Sequence, residues 1–203
     1  WTSEFTYLLQ DLSGQYPAYP TGISGVDYPE SDDVIHLAAH AKVHQLVGQP
    51  HRALENITMT FNVLEYCRQN RTPIIFSSSR EVYGDIKRFS TNETTADFAF
   101  TESTYSASKV SGEALIYAYA RCYDLPYLVF RFINVYGRFD NDIDRMERVT
   151  PLFTRRMSND EPITVFGKDK ILDFTYVDDC VNGICLGIEK LTSKKVTNET
   201  INL

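Results

Sequence analysis

The chain has 203 residues, 43% hydrophobic and 23% charged, a globular composition that excludes intrinsic disorder and fibrous repeats. Its net charge of −7 argues against a nucleic-acid surface, which needs clustered Lys and Arg to neutralise phosphates. No run approaches the ~18 apolar residues of a membrane span, and Trp1–Phe5 offers no basic leader before an apolar stretch. Cys67, Cys122, Cys180 and Cys185 are scattered and lack zinc-site spacing. They read as reduced thiols, so a cytoplasmic protein without a metal is expected.

In chain order, the apolar run Val34–Ala39 follows polar Glu30–Asp33 and predicts a strand buried on both faces. From about Pro50 to Asn70, Leu54, Ile57, Phe61, Leu64 and Cys67 recur at helical spacing and predict an amphipathic helix. Pro73–Phe76 predicts a second buried strand, ending in Ser77-Ser78-Ser79. A polar loop over 85–104 leads to a helix over about 105–123, and Tyr127–Phe132 predicts a third strand. Alternation at this spacing means βαβ units and a parallel sheet between helices. Beyond Gly137 the pattern is a charged segment, a helix over about 151–158, and strand-like pieces at Ile163–Phe166 and Phe174–Val177. A helix over about 178–190 and a strand-like Ile201–Leu203 complete what reads as a smaller lobe.

Tyr105 and Lys109 lie four residues apart at the start of a predicted helix, so they share one face. A free phenol is a poor base near neutrality, but an adjacent cation favours its phenolate. Such a Tyr can take a proton from a sugar hydroxyl while hydride leaves the carbon, and return it in reverse. The Ser77–Ser79 run closes a buried strand at its C-terminal end, where open α/β sheets bind ligands.

Five segments occur in one register: Val34–Ala39; Phe76–Ser79 running into Val82-Tyr83-Gly84; Tyr105 to Lys109; Arg131–Gly137; and Asp173–Asp179. Together they resemble the extended short-chain dehydrogenase/reductase family, in its NAD-dependent nucleotide-sugar epimerase/dehydratase branch. The resemblance implies an α/β fold, a Rossmann-type doubly wound parallel sheet with a smaller C-terminal substrate lobe. It places an NAD-binding domain at 1–137 and part of the substrate lobe at 138–203, with some segments of the latter returning to the sheet. The chain is expected to be truncated or incompletely ordered at both ends. Ser79 corresponds to the residue that orients the substrate hydroxyl, and Tyr105 to the acid/base. Lys109 corresponds to the residue that bonds the nicotinamide ribose and lowers the Tyr pKa. The resemblance assigns cofactor contacts to Leu37, Ala38, Ala39, Asn56, Ser77, Tyr105 and Lys109, with a short match at Asp11-Leu12. Ser79, Arg80, Glu81 and Asn134 fall at substrate positions.

The chain departs from the family at several points. None of its ten glycines forms the glycine-rich pyrophosphate loop. Leu172 stands where the family often has a diphosphate-binding Arg, a role open to Arg155, Arg156 or Lys170. Where dehydratases resemble Thr-Asp-Glu, this chain has Ser79-Arg80-Glu81. Glu81 keeps the elimination base or is a solvated strand-end charge, but Arg80 stays charged and cannot donate a proton. A 4-epimerase of the UDP-glucose/UDP-galactose type is therefore favoured. A dehydratase, a UDP-glucuronate decarboxylase and a non-catalytic sugar-nucleotide-binding module are the alternatives. A nucleotide-sugar substrate and a homodimer built from the helices around Phe61–Leu64 and Leu115–Tyr119 are implied. His36, His40 and His44 repeat every four residues, but His36 falls in a predicted strand, so ordinary core and loop histidines are expected.

Overall fold

The computed structural model describes residues 31–84, 92–95, 98–140, 143, 148–167, 169 and 171–203. Asp11, Leu12 and Lys170 lie outside the described residues. In chain order the elements are β1 (Val34–His36), α1 (Val43–Gly48), α2 (His51–Asn70), β2 (Ile74–Ser79), α3 (Thr104–Tyr123), β3 (Tyr127–Phe132) and β4 (Asn134–Tyr136). They continue with α4 (Val149–Ser158), β5 (Phe174–Tyr176), α5 (Val177–Thr192) and β6 (Glu199–Asn202). A short 3-10 turn at Arg80–Tyr83 follows β2 directly. None of the described helices is long and apolar enough to cross a membrane.

The main sheet runs β1-β2-β3-β6, with every pairing parallel. Alternation along each strand sorts the core into two layers. Ile74, Phe76, Tyr127 and Val129 pack with Val63, Leu64 and Cys67 of α2 and Ile116 and Tyr119 of α3. Ile75, Leu128 and Phe130 face the other way, onto Leu191, Ile184 and Ile188 of α5. The molecule is thus the helix–sheet–helix sandwich that the βαβ pattern predicts. Asn134–Tyr136 pairs with Phe174–Tyr176 in a separate two-stranded parallel sheet.

Both long helices stop at a residue in the left-handed region, Arg71 (φ 57°) after α2 and Asp124 (φ 54°) after α3. Helix α3 lies unusually close to the sheet, because a Cβ on Gly112 would sit 2.6 Å from Phe76 Cζ. A side chain there would lift the helix and everything it carries toward the ligand edge.

Three boundary expectations are corrected. The predicted 34–39 strand ends at His36, because Asn56 of α2 captures both backbone groups of His40 and draws residues 37–40 off the sheet. His40 N donates to Asn56 Oδ1 at 2.7 Å, and Asn56 Nδ2 donates to His40 O at 3.1 Å. Ile163–Phe166 forms no strand and is exposed, with no ladder partner among the described residues. Val177 does not end a strand but opens α5. Finally, Leu54 was expected on the buried stripe of α2 yet is 65% exposed, whereas Asn56, Thr60, Asn62 and Glu65 are buried.

Candidate active site

The C-terminal ends of parallel strands bring unpaired backbone groups and loop side chains to one edge, where such sheets take ligands. Here that edge collects Leu37–Ala39 after β1, Ser77–Ser79 at the end of β2, and the first turns of α3. Ser103 caps α3 by accepting from the Ser106 backbone, while Ser106 Oγ accepts from the Ser103 N–H in return. This reciprocal cap fixes where the helix starts, one residue before Thr104. Thr104 Oγ1 donates to Leu46 O at 2.9 Å, and Tyr105 packs on Leu46 and Ala53. The short helix α1, which periodicity did not reveal, is therefore the shelf on which Tyr105 rests.

Ser79, Tyr105 and Lys109 converge at this edge, each less than a tenth exposed. The Ser79 hydroxyl stands beside the Tyr105 phenol and pulls its pKa down. Lys109 Nζ lies 5.9 Å from the centroid of the Tyr105 ring and 5.1 Å from that of Phe76. It donates to the backbone carbonyl of Ser77 at 2.6 Å. Burial holds the Lys109 ammonium down to about 8, against the opposing pull of Glu113. The Tyr105 phenol stands above its ordinary value, first through burial and then through the Glu81 charge, against the Ser79 hydroxyl. Burial is the largest influence on this phenol.

The remaining expected residues divide by what occupies their side chains. Leu37 is 55% exposed, with Ala38 and Ala39 beside it, so a small-residue loop lies open at the end of β1. Asn56 spends its amide on the His40 backbone and on Ser108 Oγ at 3.2 Å, and Ser108 in turn donates to the Tyr105 carbonyl. It ties the loop after β1 to α3 across the site. Arg80 pairs with the neighbouring Glu81 at 3.3 Å, and Glu81 N donates to Ser79 Oγ. Asn134 Nδ2 donates to Asp173 O at 2.7 Å, tying β4 to the segment before β5.

The histidines do not assemble. His36 is buried beside Thr60 of α2, with 3.1 Å between Nε2 and Oγ1. Thr60 spends its own proton on Asn56 O, so the His36 Nε2–H is the donor. His40 instead pairs with Glu55 at 2.7 Å. Among the described residues no three His, Cys, Asp or Glu side chains gather as a metal site.

One group lies outside the sequence expectations. Glu113, one turn beyond Lys109, takes a two-point ion pair from Arg131 of β3, Nε at 2.9 Å and Nη2 at 2.7 Å. It also accepts from Ser78 Oγ and Tyr117 OH. Arg131 Nη1 donates to Tyr83 OH and to Glu93 O, and Tyr83 OH donates to Asn202 of β6. The available signal was the repeat of Tyr105, Lys109 and Glu113 at four-residue steps, which marks one helix face.

The chain is similar to known proteins. The family model described as "NAD dependent epimerase/dehydratase family" matches residues 26–203. UDP-glucuronate 4-epimerase 1 of Arabidopsis thaliana is 37% identical over 163 residues, covering 76% of this chain and 36% of that protein. A dTDP-glucose 4,6-dehydratase of Salmonella typhimurium is 32% identical over 170 residues, covering 74% of this chain and 46% of the relative. A crystal structure of UDP-glucose 4-epimerase from Thermotoga maritima with UDP-glucose superposes with a TM-score of 0.76 at 35% identity. It covers 85% of this chain and 55% of that one. The chain spans about half the length of the curated relatives it matches. With the model matched over nearly all of its residues, the chain belongs to the NAD-dependent epimerase/dehydratase family of extended short-chain dehydrogenases/reductases.

Proposed function

We propose that this chain carries the catalytic centre of a nucleotide-sugar 4-epimerase of the UDP-glucose/UDP-galactose type, working through a transient 4-keto sugar. The observation that carries the proposal is the convergence of Ser79, Tyr105 and Lys109 at the C-terminal edge of β2. Ser79 holds the sugar O4 by hydrogen bond, and Tyr105 exchanges its proton. Burial favours the phenol form, which is the proton donor to a 4-keto oxygen. In the other direction the Ser79 hydroxyl and the Lys109 ammonium lower the cost of phenolate.

The residues present fit NAD. Lys109 is buried, and among the described residues its three N–H donors have one hydrogen-bond acceptor, the Ser77 carbonyl. Two donors remain for ribose hydroxyls. Leu37, Ala38 and Ala39 form an open loop where small side chains let a dinucleotide approach the backbone. NAD bound there supplies a hydride acceptor for the sugar C4 and a donor back to its opposite face.

Dehydration at C5–C6 needs an acid where Arg80 stands, and a guanidinium does not release its proton. Its pairing with Glu81 also occupies the only carboxylate of this turn. Residues 1–137 are assigned to the cofactor domain and 138–203 to part of the substrate lobe, with α5 and β6 returning to the main sheet. Homodimer contact through α2 and α3 suits the outward-facing Leu54 and Tyr123, both more than half exposed. A cytoplasmic setting suits four free cysteines. The test is to incubate the full-length protein and NAD with UDP-glucose and with dTDP-glucose, separately. UDP-galactose is expected from the first; a 4-keto-6-deoxy sugar from either contradicts the assignment.

A further inference from the structure

The same face of α3 that carries Tyr105 and Lys109 continues to Glu113, and each of the three meets one residue at the end of β2. Lys109 donates to the Ser77 carbonyl, Ser78 donates to Glu113, and Tyr105 stands beside the Ser79 hydroxyl. Ser78 and Arg131 are register partners across β2 and β3, and Arg131 is in turn the register partner of Asn202 in β6. Arg131 sits on the α3 side of the sheet, the side of Tyr127 and Val129. Its guanidinium fills both carboxylate oxygens of Glu113, and both residues are 5% exposed or less. A buried bidentate pair of this kind has one geometry and tolerates little sliding.

We infer that Glu113 is a positioning residue, which, anchored by Arg131 and Ser78, locks the reactive face of α3 in register with Ser77–Ser79 and serves as the counter-charge of Lys109. The inference rests on the catalytic reading of Tyr105 and Lys109 given above. The charge argument has a definite sign. Facing Lys109 are His36 from β1, the Phe76 ring and Ser77 carbonyl from β2, and Tyr105 and Glu113 from its own helix, with Arg131 of β3 beyond Glu113. Only Glu113 among these carries a negative charge that favours the ammonium. His36, buried and neutral, gives Lys109 no support.

The experiment is a 13Cε NMR titration of Lys109 in full-length protein, its signal identified by its loss in Lys109→Met. It is run on the parent, Glu113→Gln and Glu113→Asp, alongside thermal melting. Glu113→Gln is expected to lower the Lys109 midpoint by about half a pH unit or more, and Glu113→Asp to restore it. If Glu113→Gln does not fold, Glu113→Gln with Arg131→Met removes both buried charges and is expected to move the midpoint down by less, because the more distant Arg131 cation is lost as well. An unmoved midpoint, or a failure of both variants to fold, reduces Glu113 to a structural residue and overturns the inference. The titration needs neither NAD nor sugar. Turnover of Tyr105→Phe and Lys109→Met decides the catalytic reading separately, so either conclusion can fail alone.

Discussion

Lys109 Nζ donates to the Ser77 carbonyl at 2.6 Å from a position almost sealed from water. The ammonium is held by one backbone oxygen and two aromatic faces, with its nearest supporting carboxylate already committed to Arg131. Keeping a charge in such a position costs stability.

That cost has a pH signature. The ordinary lysine value is 10.5 and the folded value is about 8. The unfolded chain therefore binds more protons between those limits, and stability rises with pH across the window. Below about pH 8 the full penalty applies, of order 3 kcal/mol at 1.36 kcal/mol per pH unit. Lys109→Met is expected to melt higher than the parent at pH 7 while losing turnover. The gain should shrink toward zero as pH passes 10. Melting curves at pH 7 and pH 10 check this.

His36 works in the opposite pH range. Burial, then the Lys109 charge, holds it down to about 3 from 6.5. The unfolded chain takes up this proton first, so the stability that neutral His36 contributes is lost as pH falls from about 6.5 toward 3. His36→Gln is expected to flatten the decline in melting temperature across that window relative to the parent. Parallel curves would contradict the assignment.

Asn56, which the resemblance assigns to the cofactor, clasps His40 and Ser108 with its side chain. Asn56→Ala leaves both half-buried backbone groups of His40 without their side-chain partner, at a cost of about 1–3 kcal/mol. It also frees residues 37–40, so NAD affinity is expected to fall by about tenfold in a direct titration, a loss of about 1.4 kcal/mol.

Gly112 is where α3 meets the sheet most closely. Gly112→Ala drives a methyl into the Phe76 ring, which already packs against His36 and Lys109. Overpacking of about 1–3 kcal/mol is offset in part by about 1 kcal/mol of helix propensity. A lower melting temperature is expected, with turnover falling as Lys109 is displaced.

What the sequence revealed follows from the range of its signals. β2, α3 and β3 lie within two residues of their expected bounds, because their buried runs and helical spacing are local patterns. The convergence of Ser79, Tyr105 and Lys109 was legible because strand ends and helix starts fall on one edge of a βαβ unit. Glu113–Arg131 was not, since the partners lie 18 residues apart and meet only through strand register. The buried side of α2 was misjudged for a related reason. Asn56, Thr60 and Glu65 are buried because His40, His36, Arg68 and Tyr119 satisfy them, and hydrophobic spacing registers no such partners. Ile163–Phe166 looked like a strand on composition alone, and a strand needs a neighbour.

The most direct test of the account follows the hydrogen at C4. Full-length protein with NAD and UDP-glucose deuterated at C4 is expected to yield UDP-galactose with the label kept at C4, and Tyr105→Phe to slow the conversion by about 100-fold or more. Loss of the label to water, or undiminished conversion by Tyr105→Phe, would contradict it.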